Sequence, residues 1–463
     1  MHHIRCKGVT VEATQHEERP VTKWDLAGIP DPIKWGFPAV LLFMTAVGVE
    51  SNFLTPHLVA GLNTSEATVS WVITGYSLTV LVASYLSGAL ADLFGPKRVM
   101  LAGAAVFIVF QFAFIFAIST GNLHLVGLTY FIRGFGFPLF AFAFLVWINH
   151  LARPSKLGTA IGWFYVMFTG GLPTLGSLVA FGVIPAFGGG FVGETAALYV
   201  SIALAAVGTV LAWFGCRDQT GMRRLAEPAM SNSEILMSGL QLLVSNSKVR
   251  DGFLVRMINT APQFGMFIIL PAVISDELGW GQSRWLMMTV IVYAGNILFN
   301  AVFGAIGDKH GWVSTVRYFG ILTSSIALLA WWYVPHWVEP GSTSGYVLAV
   351  IAGTAYGIFL AGFVPMGAIV AANAPGQEGG AMAMYTTAAG GATFLGSLVV
   401  AVVLNVTGWF NLGSYAQNTA VVWAFVALYA VAFILVGRLR TRQDDPEYRK
   451  ELKRKDAALV DAA

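Results

Sequence analysis

Blocks of roughly 20 apolar residues, free or nearly free of charge, follow one another along almost the whole chain, each long enough to carry a helix across about 30 Å of hydrocarbon. They run approximately over 36–59, 69–91, 99–118, 123–148, 158–182, 195–214, 253–274, 285–306, 315–334, 345–372, 380–405 and 419–437. Backbone polar groups in hydrocarbon must find partners within their own segment, so such a chain is constrained to a bundle of helices. Short alternating segments of about ten residues are missing, which excludes a membrane β-barrel. Only 11% of the residues are charged, against about 25% in soluble domains, too few to clothe a water-facing surface. The expected fold is an all-α polytopic membrane protein with twelve transmembrane helices in two six-helix halves.

The longest charged interruption, 215–251, divides the blocks six and six. The expected organisation is a tail over 1–34, a first half over 35–214, a central loop over 215–251, a second half over 252–437 and a closing tail over 438–463. Apart from Arg133, Arg256 and Arg284, every Lys and Arg falls in the tails, the central loop or the short connections at the same end of the bundle, with Arg317 just inside the start of its block. That asymmetry places both termini and the central loop in the cytoplasm, in a bacterial-type inner membrane. The basic closing run from Arg438 to Lys455 reads as a tail facing lipid headgroups, and basic residues so scattered give no nucleic-acid surface. The first 34 residues lack the apolar core of a cleaved signal peptide. Cys6 and Cys216 are the only cysteines and form no disulfide framework. Nothing in the pattern calls for a metal or cofactor.

An internal repeat supports the two halves. Gly88-Ala-Leu-Ala-Asp92-Leu-Phe-Gly95-Pro-Lys97-Arg98 follows the second block, and Gly304-Ala-Ile-Gly-Asp308-Lys309-His-Gly311 follows the eighth. These loops resemble the signature of the major facilitator superfamily, G-x-x-x-D-[RK]-x-G-[RK]-[RK], although Leu93 and Pro96 stand in the first copy where basic residues are usual. By that resemblance Asp92 is a gating residue that accepts hydrogen bonds from neighbouring helix ends, and Asp308 is its twin. A narrower likeness lies in Arg133-Gly-Phe-Gly-Phe-Pro-Leu-Phe-Ala-Phe-Ala-Phe-Leu-Val-Trp147, Gly162-Trp-Phe-Tyr-Val-Met-Phe168, Ile258-Asn-Thr-Ala-Pro-Gln263-Phe-Gly265 and Tyr356-Gly-Ile-Phe-Leu-Ala-Gly-Phe-Val-Pro365. These segments are similar to the bacterial polyol permease family of ribitol and arabinitol transporters. Where that family tends to have G-D-G-x-E in the first span, this chain has Ala46-Val47-Gly48-Val49-Glu50.

An ionisable group in hydrocarbon costs several kcal/mol unless it is paired or wet, so those inside the blocks are candidates for function. Glu50 lies about 22 Å along its helix from the cytoplasmic start of the first block, and Arg133 about 24 Å from the cytoplasmic end of the fourth. The two meet at one depth, as a proton-coupling pair or as a static pair that fixes packing. Arg256, a few residues into its block, is expected to reach the cytoplasmic surface. His57 reads as an interfacial residue. Asn52, Tyr165, Asn259, Gln263, Asn296, Asn300, Tyr356 and Tyr385 are uncharged hydrogen-bonding groups near mid-membrane, suited to a neutral polyhydroxylated solute or, alternatively, to interhelical packing. Gly170-Gly-Leu-Pro173-Thr-Leu-Gly176 and Pro365 are expected to bend their helices and allow close packing.

The expected function is secondary active transport: proton-coupled uptake of a linear polyol, a pentitol such as ribitol or arabinitol, by alternating access. The expected partners are a small polar solute, protons and membrane lipid. A proton-coupled dicarboxylate symporter is the alternative, which would recruit Arg256 or an Arg133 freed from Glu50. A G-x-x-x-x-G-K-[ST] loop is absent, and so is the cluster of His, Asp or Glu that a membrane-embedded enzyme would need.

Overall fold

The computed structural model describes residues 22–152, 157–225, 231–375 and 378–451. No strand occurs among them. Among the described residues eleven helices are long and apolar enough to cross a membrane, from Glu66–Phe94 to Ser414–Val436. The first block is the exception and breaks into Gly36–Gly48 and Leu54–Leu62. In the turn between them the N–H groups of Ser51 and Phe53 reach back only three residues, to Gly48 O at 3.2 Å and Glu50 O at 3.1 Å. The Asn52 carbonyl, four residues before Pro56 and so without a helical N–H to accept from, accepts a hydrogen bond from Trp285 Nε1 at 2.9 Å. Backbone that leaves the α-helix at membrane depth is tolerated where protein groups answer it, as here.

A neighbouring helix packs closely just before this break. A side chain at Gly48 would run into the Leu172 carbonyl, and Gly176 lies against Gly48 in turn. The wide turn Gly170–Leu175 carries Pro173 at that crossing, so the glycine-proline segment both bends its helix and admits its neighbour. The second half repeats the device. The helix Thr343–Leu360 passes through a tight turn, Ala361–Phe363, before Met366–Ala372. At that point Gly362 touches the backbone of Gly320.

Five contacts gather one end of the bundle. Arg217 N–H donates to Pro32 O at 3.0 Å and Leu225 N–H to Asp92 O at 2.8 Å. Lys97 Nζ donates to Cys216 O at 2.8 Å, Val313 N–H to Asp444 Oδ1 at 2.8 Å, and Asn373 Nδ2 to Leu439 O at 3.1 Å. Both chain ends, as far as they are described, therefore share one end with the central connection. Buried Cys216 sits there behind Gly215, and burial pushes its thiol up to about 12. The two sets of helices meet along the middle, where Glu66–Phe94 packs on Glu378–Gly408 with Ser84 against Gly390. At the other end Gln282 Nε2 donates to Glu194 Oε1 at 2.5 Å, from one set to the other.

Candidate functional site

Between the two sets lies a cavity of about 160 Å³, room for on the order of ten waters or one small solute. Its wall is mixed. Phe137, Phe142, Phe168, Phe264, Phe267 and Phe363 give it ring faces, while Glu50, Tyr76, Tyr130, Tyr165, Arg256, Thr260, Gln263 and Asn296 give it polar groups.

Glu50 stands at the break in the first helix, where the turn aims its carboxylate at the cavity on one side and at Arg133 on the other. Arg133 Nη1 donates to Glu50 Oε2 at 2.7 Å, Arg133 Nη2 donates to Oε1, and the Tyr130 hydroxyl donates to Oε1 at 3.0 Å. Gln111 accepts a further bond from Arg133 and passes its amide to Ser201 Oγ at 3.1 Å. Tyr130, Phe107, Phe114 and Tyr76 surround the guanidinium, with ring centres 4.4, 5.2, 5.2 and 5.3 Å from it. Arg133 is 0% exposed and does not line the cavity, whereas Glu50 and Tyr130 do. The acid thus has one face toward solute space and one toward a charge sealed in protein. Such a pair is held by charge-assisted bonds, and removing either partner leaves a buried charge unanswered.

The amides and hydroxyls read from the sequence divide in two. Tyr165, Gln263 and Asn296 line the cavity, Asn296 also donating to Gly357 O at 2.8 Å. Asn52, Asn259, Asn300, Tyr356 and Tyr385 stand off it. Asn52 Nδ2 donates to Ser177 Oγ, and Asn259 Nδ2 to Gly320 O at 2.6 Å while its own carbonyl accepts from the Tyr429 hydroxyl. Tyr356 is stacked on Trp331 at 5.4 Å, and Tyr385 lies beneath the Arg256 guanidinium at 5.4 Å. Asn52, Asn259, Tyr356 and Tyr385 are thus engaged by neighbouring groups, whereas the Asn300 Oδ1 is buried without a hydrogen-bond partner. Tyr76, Tyr130 and Thr260 are lining residues that the sequence reading did not single out.

Two further expectations are corrected. Arg256 does not reach the surface: it is 6% exposed, lines the cavity and donates to Thr260 Oγ1. Its helix begins at Ser247, earlier than the apolar block suggested, so the residue sits about 13 Å in. His57 lies toward the outer end, as read, but faces protein instead of the headgroups. It is 1% exposed, stacked on Phe191 at 4.3 Å, with Nδ1 2.8 Å from Glu194 Oε2. Asp92 closes the helix Glu66–Phe94 with its backbone carbonyl on Leu225, and its carboxylate has no hydrogen bond or ion pair among the described residues. The side chain of Asp308 lies outside the described residues.

Two packed sets of crossing helices around a central cavity of mixed wall are the architecture of a multi-pass membrane protein. The family comparison names the class more narrowly: the model of the Major Facilitator Superfamily matches residues 36–250 and 252–461. This chain belongs to that superfamily, a family of transporters rather than enzymes. It is 32% identical over 418 residues to a D-arabinitol transporter of Klebsiella pneumoniae, covering 90% of this chain and 94% of that one. A ribitol transporter of the same organism is 31% identical, covering 90% and 93%. An alpha-ketoglutarate permease of Bacillus subtilis (strain 168) is 34% identical over 405 residues, covering 87% and 88%. Among solved structures, a D-xylose-proton symporter superposes with a TM-score of 0.66 at 15% identity, covering 91% of this chain and 98% of that one.

Proposed function

We propose that this protein is a secondary active transporter for proton-coupled uptake of a linear polyhydroxylated solute of the pentitol kind. Glu50 carries the proton, Arg133 holds its ionised form, and Tyr165, Gln263 and Asn296 hydrogen-bond the solute. The observation that carries this reading is the double exposure of Glu50, to the solute cavity and to Arg133. Protonation weakens the ion pair, and a solute in the cavity alters the water that reaches the acid, so the two loads are linked. The halves 35–214 and 252–437 rock about the cavity in a bacterial-type inner membrane, both termini in the cytoplasm. The aromatic and amide wall and the two pentitol-transporting relatives support the solute class.

An organic acid is the second reading. Arg256 on the cavity wall and the resemblance to a permease for alpha-ketoglutarate favour it. The test is a thermal-shift screen of the purified protein with pentitols, hexitols, tetritols and dicarboxylates, since bound ligand raises stability by mass action. Stabilisation by pentitols is expected, and stabilisation by dicarboxylates alone refutes the polyhydroxylated class.

A further inference from the structure

The helix Ser247–Ala272 presents Arg256, Thr260 and Gln263 to the cavity. Their spacing puts them on one face, with the cation and the amide about 10 Å apart along the axis. Arg256 lies over the Phe363 ring at 4.1 Å and the Tyr385 ring at 5.4 Å. Its Nε has no hydrogen-bond partner, and no carboxylate pairs with it among the described residues. Arg133 Nε is unpartnered too, so the contrast between the two lies in the charge partner: the cavity's own acid, Glu50, is already committed to Arg133. A desolvated guanidinium without a counter-ion is costly, and ring faces compensate it only in part. Its planar fork matches one carboxylate in two parallel hydrogen bonds.

We infer that Arg256 is the specificity-determining residue of the cavity and anchors a carboxylate on the solute, whose hydroxyl-bearing chain runs toward Gln263 and Asn296. The preferred substrate class is then a short polyhydroxylated monocarboxylate, a sugar acid, with the neutral polyol of the same chain length a weaker ligand. This rests on the polyhydroxylated-solute reading above and assigns one end of that solute.

The experiment measures the affinity of the purified full chain for a pentitol and for its pentonate at neutral pH and constant salt, in the wild type, Arg256→Gln and Arg256→Lys. The wild type is expected to hold the pentonate on the order of ten- to a hundredfold more tightly. Arg256→Gln removes that preference while pentitol affinity stays within about threefold, and Arg256→Lys, which keeps the charge without the planar fork, retains part of it. A residue that only packs helices would move both ligands together, so the ratio is the readout. Equal wild-type affinities, or equal losses in Arg256→Gln, overturn the inference and leave the polyol reading standing. Binding of a dicarboxylate without either pentose-derived ligand overturns both. Should Arg256→Gln fail to fold, Arg256→Lys decides: a smaller preference at little-changed pentitol affinity supports the inference, and an unchanged preference or equal losses for both ligands overturn it.

Discussion

Replacing Glu50 by Gln tests the coupling mechanism most sharply, because Gln copies the shape of a permanently protonated Glu. In the wild type the carboxylate accepts two bonds from Arg133 and one from Tyr130. Gln keeps one carbonyl acceptor, loses the charge and turns an N–H₂ toward the guanidinium or the cavity. Breaking a buried ion pair costs about 3–5 kcal/mol when the remaining charge is unanswered; Gln111 and four ring faces still attend Arg133, so the loss is expected near or below the lower figure. The functional effect is larger in kind. One proton moved through 100 mV supplies about 2.3 kcal/mol, worth roughly fiftyfold accumulation, and an uncoupled carrier forfeits all of it. Proteoliposomes with an imposed proton gradient should therefore accumulate solute with the wild type and only equilibrate it with Glu50→Gln, while counterflow exchange persists. Continued accumulation by Glu50→Gln, with alkalinisation outside, would refute the reasoning. Loss of exchange together with a lower melting temperature would identify a static pair.

Gln263→Ala should weaken solute affinity by several-fold to about tenfold at nearly unchanged melting temperature, whereas Asn259→Ala, which removes the bond to Gly320 O, should lower the melting temperature and spare affinity. Isothermal binding and thermal unfolding of each variant separate the two roles. Asp92→Asn should slow turnover with little change in affinity, measured as transport rate against binding, because the loop acts on the balance of conformations. In a Cys6→Ser background, Cys216 should resist maleimide at pH 8, because its thiol is pushed up to about 12 and the thiolate is the nucleophile. Reactivity should rise with pH or on unfolding, and rapid labelling of the folded protein at pH 8 would contradict its burial.

The crossing helices were legible because hydrocarbon demands long apolar segments and tolerates few charges, so block length alone marks them. The break at Val49–Phe53 carried signals that counting apolar blocks passes over, the polar run Glu50-Ser51-Asn52 and Pro56 in the first turn of Leu54–Leu62, whereas the approach of Leu172 and Gly176 to Gly48 is distant in sequence. Glu50 and Arg133 were found by depth counting, which works for residues near mid-helix. It failed for Arg256 because the polar first turns of its helix, from Ser247, hid the true start. Asn259 and Gln263 share a face by spacing, yet this helix is buried on nearly all sides, so a shared face does not single out which amide meets the cavity. Tyr76 and Tyr130 line the cavity while Tyr356 and Tyr385 stand off it, a distinction that depends on how the helices are turned and that the sequence does not carry.

The tie between Asn52 and Trp285 carries a consequence for how water and movement are linked. The carbonyl left without a helical donor in the broken first helix is held by an indole from the other set of helices, two residues from the acid at Glu50. Pulling the two sets apart there strips that carbonyl of its donor, a loss of about 1–3 kcal/mol for a group kept dry. Water entering the gap repays the loss. Separation and wetting are therefore one event at this joint, and the backbone that hydrates first lies beside the group that must exchange its proton.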